Sequence, residues 1–160
     1  MSEEPWLVLG AKAVKFDPNL KYILCKDDDE HVIMSEQRFK SLCSLTAKKL
    51  RPLLGVSSQD LTSMIVENPI TMKDLKMIAV GIQADRYAIS SGFHTVTPAH
   101  NHLDYLLAND IHLQSNGIIN PATGRLQKSQ DYNGMLPNDP KILSSFKSHK
   151  SWFASFKQKT

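Results

Sequence analysis

The sequence predicts a mixed α+β fold, in which a small α+β unit precedes a domain made of a hairpin, a central helix, two long loops and a C-terminal helix. Short apolar runs separated by turn residues occupy the beginning of the chain, which is typical of strands. Two stretches with apolar residues at helical spacing follow them. The second half alternates apolar clusters with loops rich in asparagine, proline and glycine, which indicates a loop-rich domain.

The composition of the chain is that of an ordinary globular protein. Of its 160 residues, 41% are hydrophobic and 22% are charged, which excludes a collagen, a coiled-coil rod and a low-complexity segment. The formal net charge of +3 is too small to mark a dedicated nucleic-acid-binding protein. No apolar run approaches the ~20 residues of a membrane span, and the acidic start Met1–Glu4 lacks the basic region of a signal peptide. We therefore expect a cytoplasmic protein with neither a nucleic-acid nor a membrane partner.

The two cysteines, Cys25 and Cys43, are too few for a structural zinc site, which needs about four Cys or His ligands at fixed spacing. Histidines do not replace them, since His100 and His102 are two residues apart and would face different sides of a helix. Each cysteine follows a leucine, which favours buried free thiols over a disulfide. We predict no metal and no cofactor.

The N-terminal unit shows clear local signals of secondary structure. Apolar runs at Tyr22–Cys25 and His31–Met34 flank an acidic turn and predict a hairpin. A helix with Ser35 as its N-cap is expected over about residues 36–50. The sequence Ser57–Asp60 resembles a capping box and predicts the start of a short second helix. The unit shows no catalytic constellation, so we expect it to recruit a substrate or to localise the protein.

The second half predicts a strand followed by helices. Phe93–Val96 is expected to be the returning strand of a hairpin. Thr97–Pro98 is typical of a helix start, because a hydroxyl N-cap precedes a proline at the first helical position. The helix then has one apolar face, formed by Ala99, Leu103, Leu106 and Leu107, of which Leu103 and Leu107 are expected to lie in the core. Asp139–Pro140 begins a last helix, whose inner face is predicted to contain Ile142, Leu143 and Phe146.

Catalytic motifs are absent from the sequence: it contains no phosphate-binding glycine loop, no nucleophile elbow and no zinc-protease motif. The local group of titratable side chains consists of His94, His100, His102 and His112. A surface or helix-edge role is favoured for them over catalysis. The basic and aromatic tail is expected to pack back on the core, with an anionic surface or a protein groove as the alternative.

The order of short motifs in the second half resembles the U-box domain of ubiquitin ligases, the zinc-free relative of the RING. The resemblance covers about half of the chain, residues 69–146. The matching segments are Pro69–Thr71, Asp85–Gly92, Phe93–Val96, Asn120–Thr123 and Leu136–Asn138. The sequence departs from the U-box pattern by an insertion between Thr71 and Asp85 and by Val96, where the family has a tyrosine.

The resemblance implies a ubiquitin-protein ligase, a U-box-type transferase without a covalent intermediate, which acts by orienting its partners. Those partners would be a ubiquitin-conjugating enzyme, ubiquitin and a protein substrate. The implied docking patch for the conjugating enzyme consists of Ile70, Leu106 and Pro121, and Arg125 would be the linchpin that hydrogen-bonds the conjugating enzyme and ubiquitin together. No catalytic residue is implied. The implied segments are the N-terminal unit (residues 1–66), the U-box-like domain (67–148) and the tail (149–160).

Two alternatives stay open. One is a non-catalytic protein-interaction module with a degenerate U-box-like fold, and the other is an unrelated small enzyme that uses the histidines named above. A U-box fused to an unrecognised small domain is also a pattern of ligases that bacterial pathogens inject, which would place the protein in the host cytoplasm. The sequence indicates neither the substrate nor the oligomeric state.

Overall fold

A computed structural model describes residues 5–46, 49–81, 91–127, 131–142, 144 and 156–157. The described chain begins with a 3-10 helix at Pro5–Gly10. The strands are β1 (Ala13–Phe16), β2 (Tyr22–Asp27), β3 (Glu30–Ser35), β4 (Arg51–Val56), β5 (Ile65–Glu67), β6 (Asp74–Ala79), β7 (Phe93–Val96) and β8 (Phe156–Lys157). The α-helices are α1 (Glu36–Leu45), α2 (Ser58–Ser63) and α3 (His102–Asp110), and residues 140–142 form a further helical turn.

The described strands form two sheets, one of five strands in the order β7-β1-β6-β5-β8 and one of three in the order β3-β2-β4. In the three-stranded sheet β2 is antiparallel to both neighbours, and Tyr22 lies opposite Ser35 of β3 and Val56 of β4. In the five-stranded sheet β5 pairs antiparallel with β8. Within the residues described above, no helix has the length and apolar character that crossing a membrane requires.

The predicted U-box-like fold is wrong. The strand Phe93–Val96 belongs to the five-stranded sheet, next to β1, rather than to a small domain of its own. The strands of this sheet are only two to six residues long, and only β6 shows an alternation of polar and apolar residues, over Asp74–Met77. Their pairing joins segments that are far apart in the chain, which local motifs do not reveal.

Several local predictions for the N-terminal region are confirmed. The hairpin β2–β3 forms, and Ser35 is the N-cap of α1, where its side chain accepts a hydrogen bond from the backbone N–H of Arg38. The capping box at the start of α2 is also present, between Ser57 and Asp60. The first helix is shorter than predicted, because Leu50 belongs to a core cluster and the chain enters β4 directly after it.

The chain divides into two compact units. Unit 1 comprises Met1–Ala13, Glu67–Leu75 and Thr95–Ser155, and unit 2 comprises Val14–Val66, Lys76–His94 and Phe156–Thr160. A core cluster of unit 1 consists of Leu9, Ile118, Leu126 and Ile142, so the predicted burial of Ile142 is confirmed. A core cluster of unit 2 consists of Val32, Met34 and Leu50. The predicted boundaries after residues 66 and 148 stay predictions.

Some predicted features lie outside the described residues. They include the expected hairpin partner Tyr87–Ile89 and the side chains of Leu143, Phe146, Trp152 and Phe153. Of the basic and aromatic tail, only the backbone of β8 is described.

The apolar face predicted for the central helix is wrong. Helix α3 begins at His102, and Thr97 lies in a turn that precedes it. Leu103 and Leu106 are 71% and 48% exposed, whereas the buried residues of α3 are Asp104 and Ala108. The apolar spacing assumed one continuous helix from residue 98, but the intervening turn changes which side of the helix faces inward.

Candidate functional site

A buried carboxylate, Asp104, lies in the first turn of α3 in unit 1. Asp104 is only 2% exposed. The Asp104 Oδ2 atom accepts a hydrogen bond from the backbone N–H of Thr97 at 2.8 Å and a second from the Thr97 hydroxyl at 3.3 Å. A buried carboxylate is tolerated only where hydrogen-bond donors replace water, and the N-terminal turn of a helix favours negative charge. Both conditions are met at Asp104.

The turn before α3 positions this carboxylate. The carbonyl oxygen of Thr97 accepts hydrogen bonds from the backbone N–H groups of His100 and Asn101, at 3.0 and 3.1 Å. Asn101 is the N-cap of α3, and its Oδ1 accepts the backbone N–H of Asp104 at 3.1 Å. Asp104 is therefore held at its backbone by Asn101 and at its side chain by Thr97. We call Thr97, His100, Asn101 and Asp104 the Asp104 site.

His100 is the half-buried imidazole of the Asp104 site. Its Nε2 accepts a hydrogen bond from the backbone N–H of Ile118 at 3.4 Å, which in a neutral ring leaves the proton on Nδ1. The Trp6 ring packs edge-on against the imidazole, with ring centroids 5.0 Å apart. Gly10 lies close by, since a Cβ atom there would be 3.6 Å from His100 Cδ2 and 3.2 Å from Ile118 Cδ1. The surroundings therefore restrict the orientation of the imidazole.

A second buried carboxylate, Asp17 in unit 2, serves as a comparison. Asp17 is 6% exposed, and its Oδ1 accepts hydrogen bonds from the backbone N–H and the side-chain amide of Asn19, at 2.9 and 3.1 Å. This is an Asx turn, in which the aspartate side chain accepts the backbone N–H two residues later, and its role is structural. Asp104 instead lies between a turn and a helix start, beside a histidine and a threonine hydroxyl. It is therefore the better candidate for chemistry.

Metal chemistry finds no support in the described part of the chain, where no group of three or more His, Cys, Asp or Glu side chains has the arrangement of a metal site. The acidic turn residues Asp28 and Asp29 are exposed. The Asp104 site offers one carboxylate, one hydroxyl and one imidazole. These groups can bind a cationic group, donate a hydrogen bond and hold a proton.

The four residues that the resemblance assigned to a ubiquitin-ligase interface lie in different settings. Ile70 is partly buried and packs against the Leu9 cluster of unit 1. Leu106 and Pro121 are exposed, on α3 and in the loop after it. The Arg125 guanidinium donates a hydrogen bond to the carbonyl oxygen of Gly134 at 2.8 Å. Their roles were implied by the resemblance alone, and these contacts add no support for them.

The cysteines and histidines follow the sequence predictions in part. Cys25 is a buried free thiol, as expected, whereas Cys43 is exposed. The prediction of a buried Cys43 is wrong because the residue lies near the end of α1, which buries none of its residues. His102 and His112 are exposed, His94 is half-buried in β7, and His100 belongs to the Asp104 site.

Comparison with known proteins points away from ubiquitin ligation. No family model matches the chain. The chain is 29% identical over 110 residues to the leucine–tRNA ligase 1 of Metallosphaera sedula and 28% identical over 126 residues to the isoleucine–tRNA ligase of Wigglesworthia glossinidia brevipalpis. These matches cover 69% and 74% of this chain but only 11% and 13% of the ligases. The chain thus corresponds to a small part of these relatives.

Solved structures show what the fold resembles. The domain GlLeuRS-CP1 is similar with a TM-score of 0.59 and 19% identity, over 69% of this chain and 42% of that one. The editing domain of the P. falciparum cytosolic leucyl-tRNA synthetase is similar with a TM-score of 0.51 and 16% identity, over 68% of this chain and 43% of that one. The fold resembles that of a tRNA synthetase editing domain.

These comparisons overturn the U-box resemblance and what it implied. The ubiquitin ligase, the transferase activity, the partners ubiquitin and conjugating enzyme, and the alternative of a degenerate U-box module are all wrong. The expectation of no nucleic-acid partner fails with them, since the relatives are tRNA ligases. The U-box match rested on short turn sequences such as Pro69–Thr71 and Leu136–Asn138. Proline and asparagine favour turns in any fold, so such sequences carry little family information.

The sequence contained one signal of the Asp104 site. Asp104 lies directly after Leu103 and three residues before Leu107, inside the stretch that was interpreted as an apolar helix. A charged residue within such a stretch indicates either a break in the pattern or a buried charge with partners. Thr97 and Asn101, both suited to accept or donate hydrogen bonds near a helix start, precede it.

Proposed function

We propose that the chain is an editing module, which hydrolyses the ester bond between an amino acid and a tRNA. The observation that supports this best is the buried carboxylate of Asp104 at a helix start, within a fold that resembles synthetase editing domains. An editing site corrects amino-acid selection by hydrolysing products that are small enough to enter it. The named relatives charge leucine and isoleucine, so the proposed substrates are tRNAs that carry a smaller apolar amino acid.

Asp104 is proposed to bind the amino group of the substrate. An aminoacyl ester carries a positive α-ammonium group, and a carboxylate is its partner in a charge-assisted hydrogen bond. Thr97 already orients the carboxylate, so little conformational entropy is lost when the substrate binds. The ester carbon is bonded to the carbon that bears the ammonium group. Holding that group therefore also holds the reacting carbon in place.

Water is the proposed nucleophile. The Asp104 site contains a threonine hydroxyl and an imidazole but no cysteine, lysine or serine. The Thr97 hydroxyl donates a hydrogen bond to the Asp104 carboxylate, which is too weak a base to make it a strong nucleophile. His100, whose Nδ1 carries the proton, is proposed to orient the attacking water molecule.

The proposed partner is tRNA, and we expect the chain to contact the tRNA backbone as well as the attached amino acid. The net charge of the chain is +3, which favours weak association with phosphate. Such association weakens as salt displaces the contacts, so the affinity for tRNA is expected to fall with ionic strength.

The test is deacylation of charged tRNA by the purified chain. We expect tRNA specific for isoleucine or leucine, charged with a smaller apolar amino acid, to lose that amino acid faster than it does without protein. Asp104→Asn keeps an oxygen that can accept from Thr97 but removes the charge. Truncating one partner of a buried charged pair costs about 2–5 kcal/mol, so the rate should fall by at least about 30-fold.

The matched control is Asp110→Asn, which removes the same charge from the exposed end of α3 and should leave the rate unchanged. Circular dichroism of both variants establishes that they fold. Equal rates for the wild type and a folded Asp104→Asn variant would refute the assigned role of Asp104. A wild-type chain that deacylates none of the charged tRNAs would refute the editing function itself.

A further inference from the structure

One face of the three-stranded sheet in unit 2 carries Cys25. Side chains alternate along a strand, so Cys25 points to the same face as Ile23 of β2. Directly opposite on β3, Val32 pairs with Cys25 and Met34 pairs with Ile23. Val32 and Met34 form, with Leu50, the core cluster against which Ile23 packs. The Cys25 thiol, which is fully buried, therefore lies on the core face of this sheet.

Cys43 lies on the side of α1 that covers this face. Phe39 and Leu42 of α1 pack against the Val32 cluster. Cys43 is four residues after Phe39, and residues four apart lie one above the other on the same side of a helix. The Cys43 side chain is nevertheless exposed, so it lies at the margin of the interface between α1 and the sheet.

The two cysteines also lie at a similar distance from the junction of β3 and α1. Because Phe39 and Leu42 contact β3 residues, α1 folds back over the strand that precedes it. The helix rises about 12 Å between Ser35 and Cys43 at 1.5 Å per residue. The strand covers about 10 Å between Ser35 and Val32, the residue opposite Cys25, at 3.3 Å per residue. Cys43 and the Cys25–Val32 pair therefore lie at similar distances from this junction.

The electrostatics of unit 2 agree with this placement. Burial raises the pKa of the Cys25 thiol, and the neighbouring Cys43 thiol raises it further. This effect agrees with the placement of both cysteines on the side of the sheet that α1 covers. The exposed Cys43 is the thiol that reacts first, since only a thiolate attacks a disulfide and burial disfavours the thiolate of Cys25.

We propose that Cys25 and Cys43 form a thiol pair that reacts with glutathione-type disulfides and closes an intramolecular disulfide. The Cys43 thiolate attacks one sulfur of oxidised glutathione, which forms a mixed disulfide and releases one glutathione. The Cys25 thiolate then attacks the Cys43 sulfur, which forms the Cys25–Cys43 bond and releases the second glutathione. Two protein thiols are oxidised, one glutathione disulfide is reduced, and the two thiol protons end on the two glutathione molecules.

The disulfide modifies unit 2 by joining the end of α1 to the centre of β2. It closes the chain between residues 25 and 43, which restricts the unfolded state and stabilises the folded one. The oxidised protein should therefore have a higher melting temperature than the reduced protein. This modification is independent of the editing chemistry proposed for Asp104, which lies in unit 1.

The experiment treats the reduced full chain with oxidised glutathione, alkylates the remaining thiols and measures intact masses. We expect the wild type to lose both alkylation sites and to have a mass lower by two hydrogens. Cys25→Ser should stop at a glutathione adduct on Cys43, and Cys43→Ser should remain unmodified. Closure in the folded chain should be at least about tenfold faster than in urea, because the fold raises the effective concentration of one thiol at the other.

Cys25→Ala is the second variant at the buried position, where serine places a hydroxyl group, and circular dichroism establishes which variants fold. A wild-type chain that stops at the glutathione adduct would overturn the proposal. A disulfide that joins two chains, or equal closure rates in buffer and in urea, would overturn it as well.

Discussion

Asp104 in unit 1 and Tyr22 in unit 2 are both buried polar residues, 2% and 3% exposed, and the side chain of each is hydrogen-bonded to backbone groups. Asp104 accepts the N–H and the hydroxyl of Thr97. The Tyr22 hydroxyl accepts the backbone N–H of Asp17 at 3.1 Å and lies 3.0 Å from the carbonyl oxygen of Gly92, to which it can donate.

The two residues differ in charge and in what surrounds them. The Tyr22 ring lies between two other aromatic rings, with centroids 6.0 Å from Phe16 and 4.9 Å from Phe93. A neutral phenol in such a setting stabilises the fold and offers nothing to a charged ligand. Asp104 has a carboxylate in the first turn of a helix, next to the exposed Leu103 and Tyr105. Burial of a polar group therefore marks a functional site only when its chemistry fits a ligand.

A large loss of stability is expected at Gly92, where an added Cβ atom would meet the Tyr22 ring. Gly92 has a φ of +87°, and a Cβ atom there would lie 2.7 Å from Tyr22 Cε1. Gly92→Ala combines a clash with backbone strain and should lower the free energy of unfolding by about 2–4 kcal/mol. Urea unfolding followed by circular dichroism measures this loss.

Gly124→Ala is the matched control, because Gly124 has a φ of +65° but open space where the Cβ atom would lie. Only the strain remains there, so a loss of about 1–2 kcal/mol is expected. Equal losses at both glycines would show that the contact with Tyr22 contributes nothing.

A smaller effect is expected from the ionisation of Tyr22. Burial raises its pKa to about 12, with the backbone hydrogen bond from Asp17 acting in the opposite direction. Because the pKa is raised in the folded state, the contribution of Tyr22 to stability is complete below the unfolded pKa of about 10 and is lost as the pH rises through 12. The urea concentration at the midpoint of unfolding should therefore fall as the pH is raised from about 10 to 12.

Tyr22→Phe should remove this part of the pH dependence and cost about 1–2 kcal/mol at neutral pH, since it leaves the Asp17 N–H without the hydroxyl. Tyr105→Phe, at an exposed tyrosine, should change neither quantity. A Tyr22→Phe variant with the same alkaline loss as the wild type would assign that loss to other groups.

The smallest effect is expected on the outer side of α3. Leu106 is 48% exposed, so Leu106→Ala should change the free energy of unfolding by no more than about 0.5 kcal/mol. The same substitution at Leu126, which is 2% exposed in the core of unit 1, should cost about 2–5 kcal/mol. A large loss at Leu106 would mean that α3 packs as the apolar spacing predicted.

Features that depend on residues close together in the chain could be predicted from the sequence alone. Ser35 as an N-cap, the capping box between Ser57 and Asp60, and the hairpin β2–β3 all follow from side chains that bond or pair with near neighbours. The turn before α3 was missed because Thr97–Pro98 is also a common helix start. Of the Asp104 site, the sequence singled out His100 as a titratable group but treated Asp104 as part of an apolar helix.

The order of the five-stranded sheet and the burial of Asp104 became apparent only in the folded structure. Strand β1 lies between β7 and β6, which come far later in the chain. Asp104 can be buried because Thr97 supplies its hydrogen bonds once the turn has formed. The sheet order depends on which distant segments meet, and the free energy of such pairings comes from packing and hydrogen bonds that no local pattern of residues encodes.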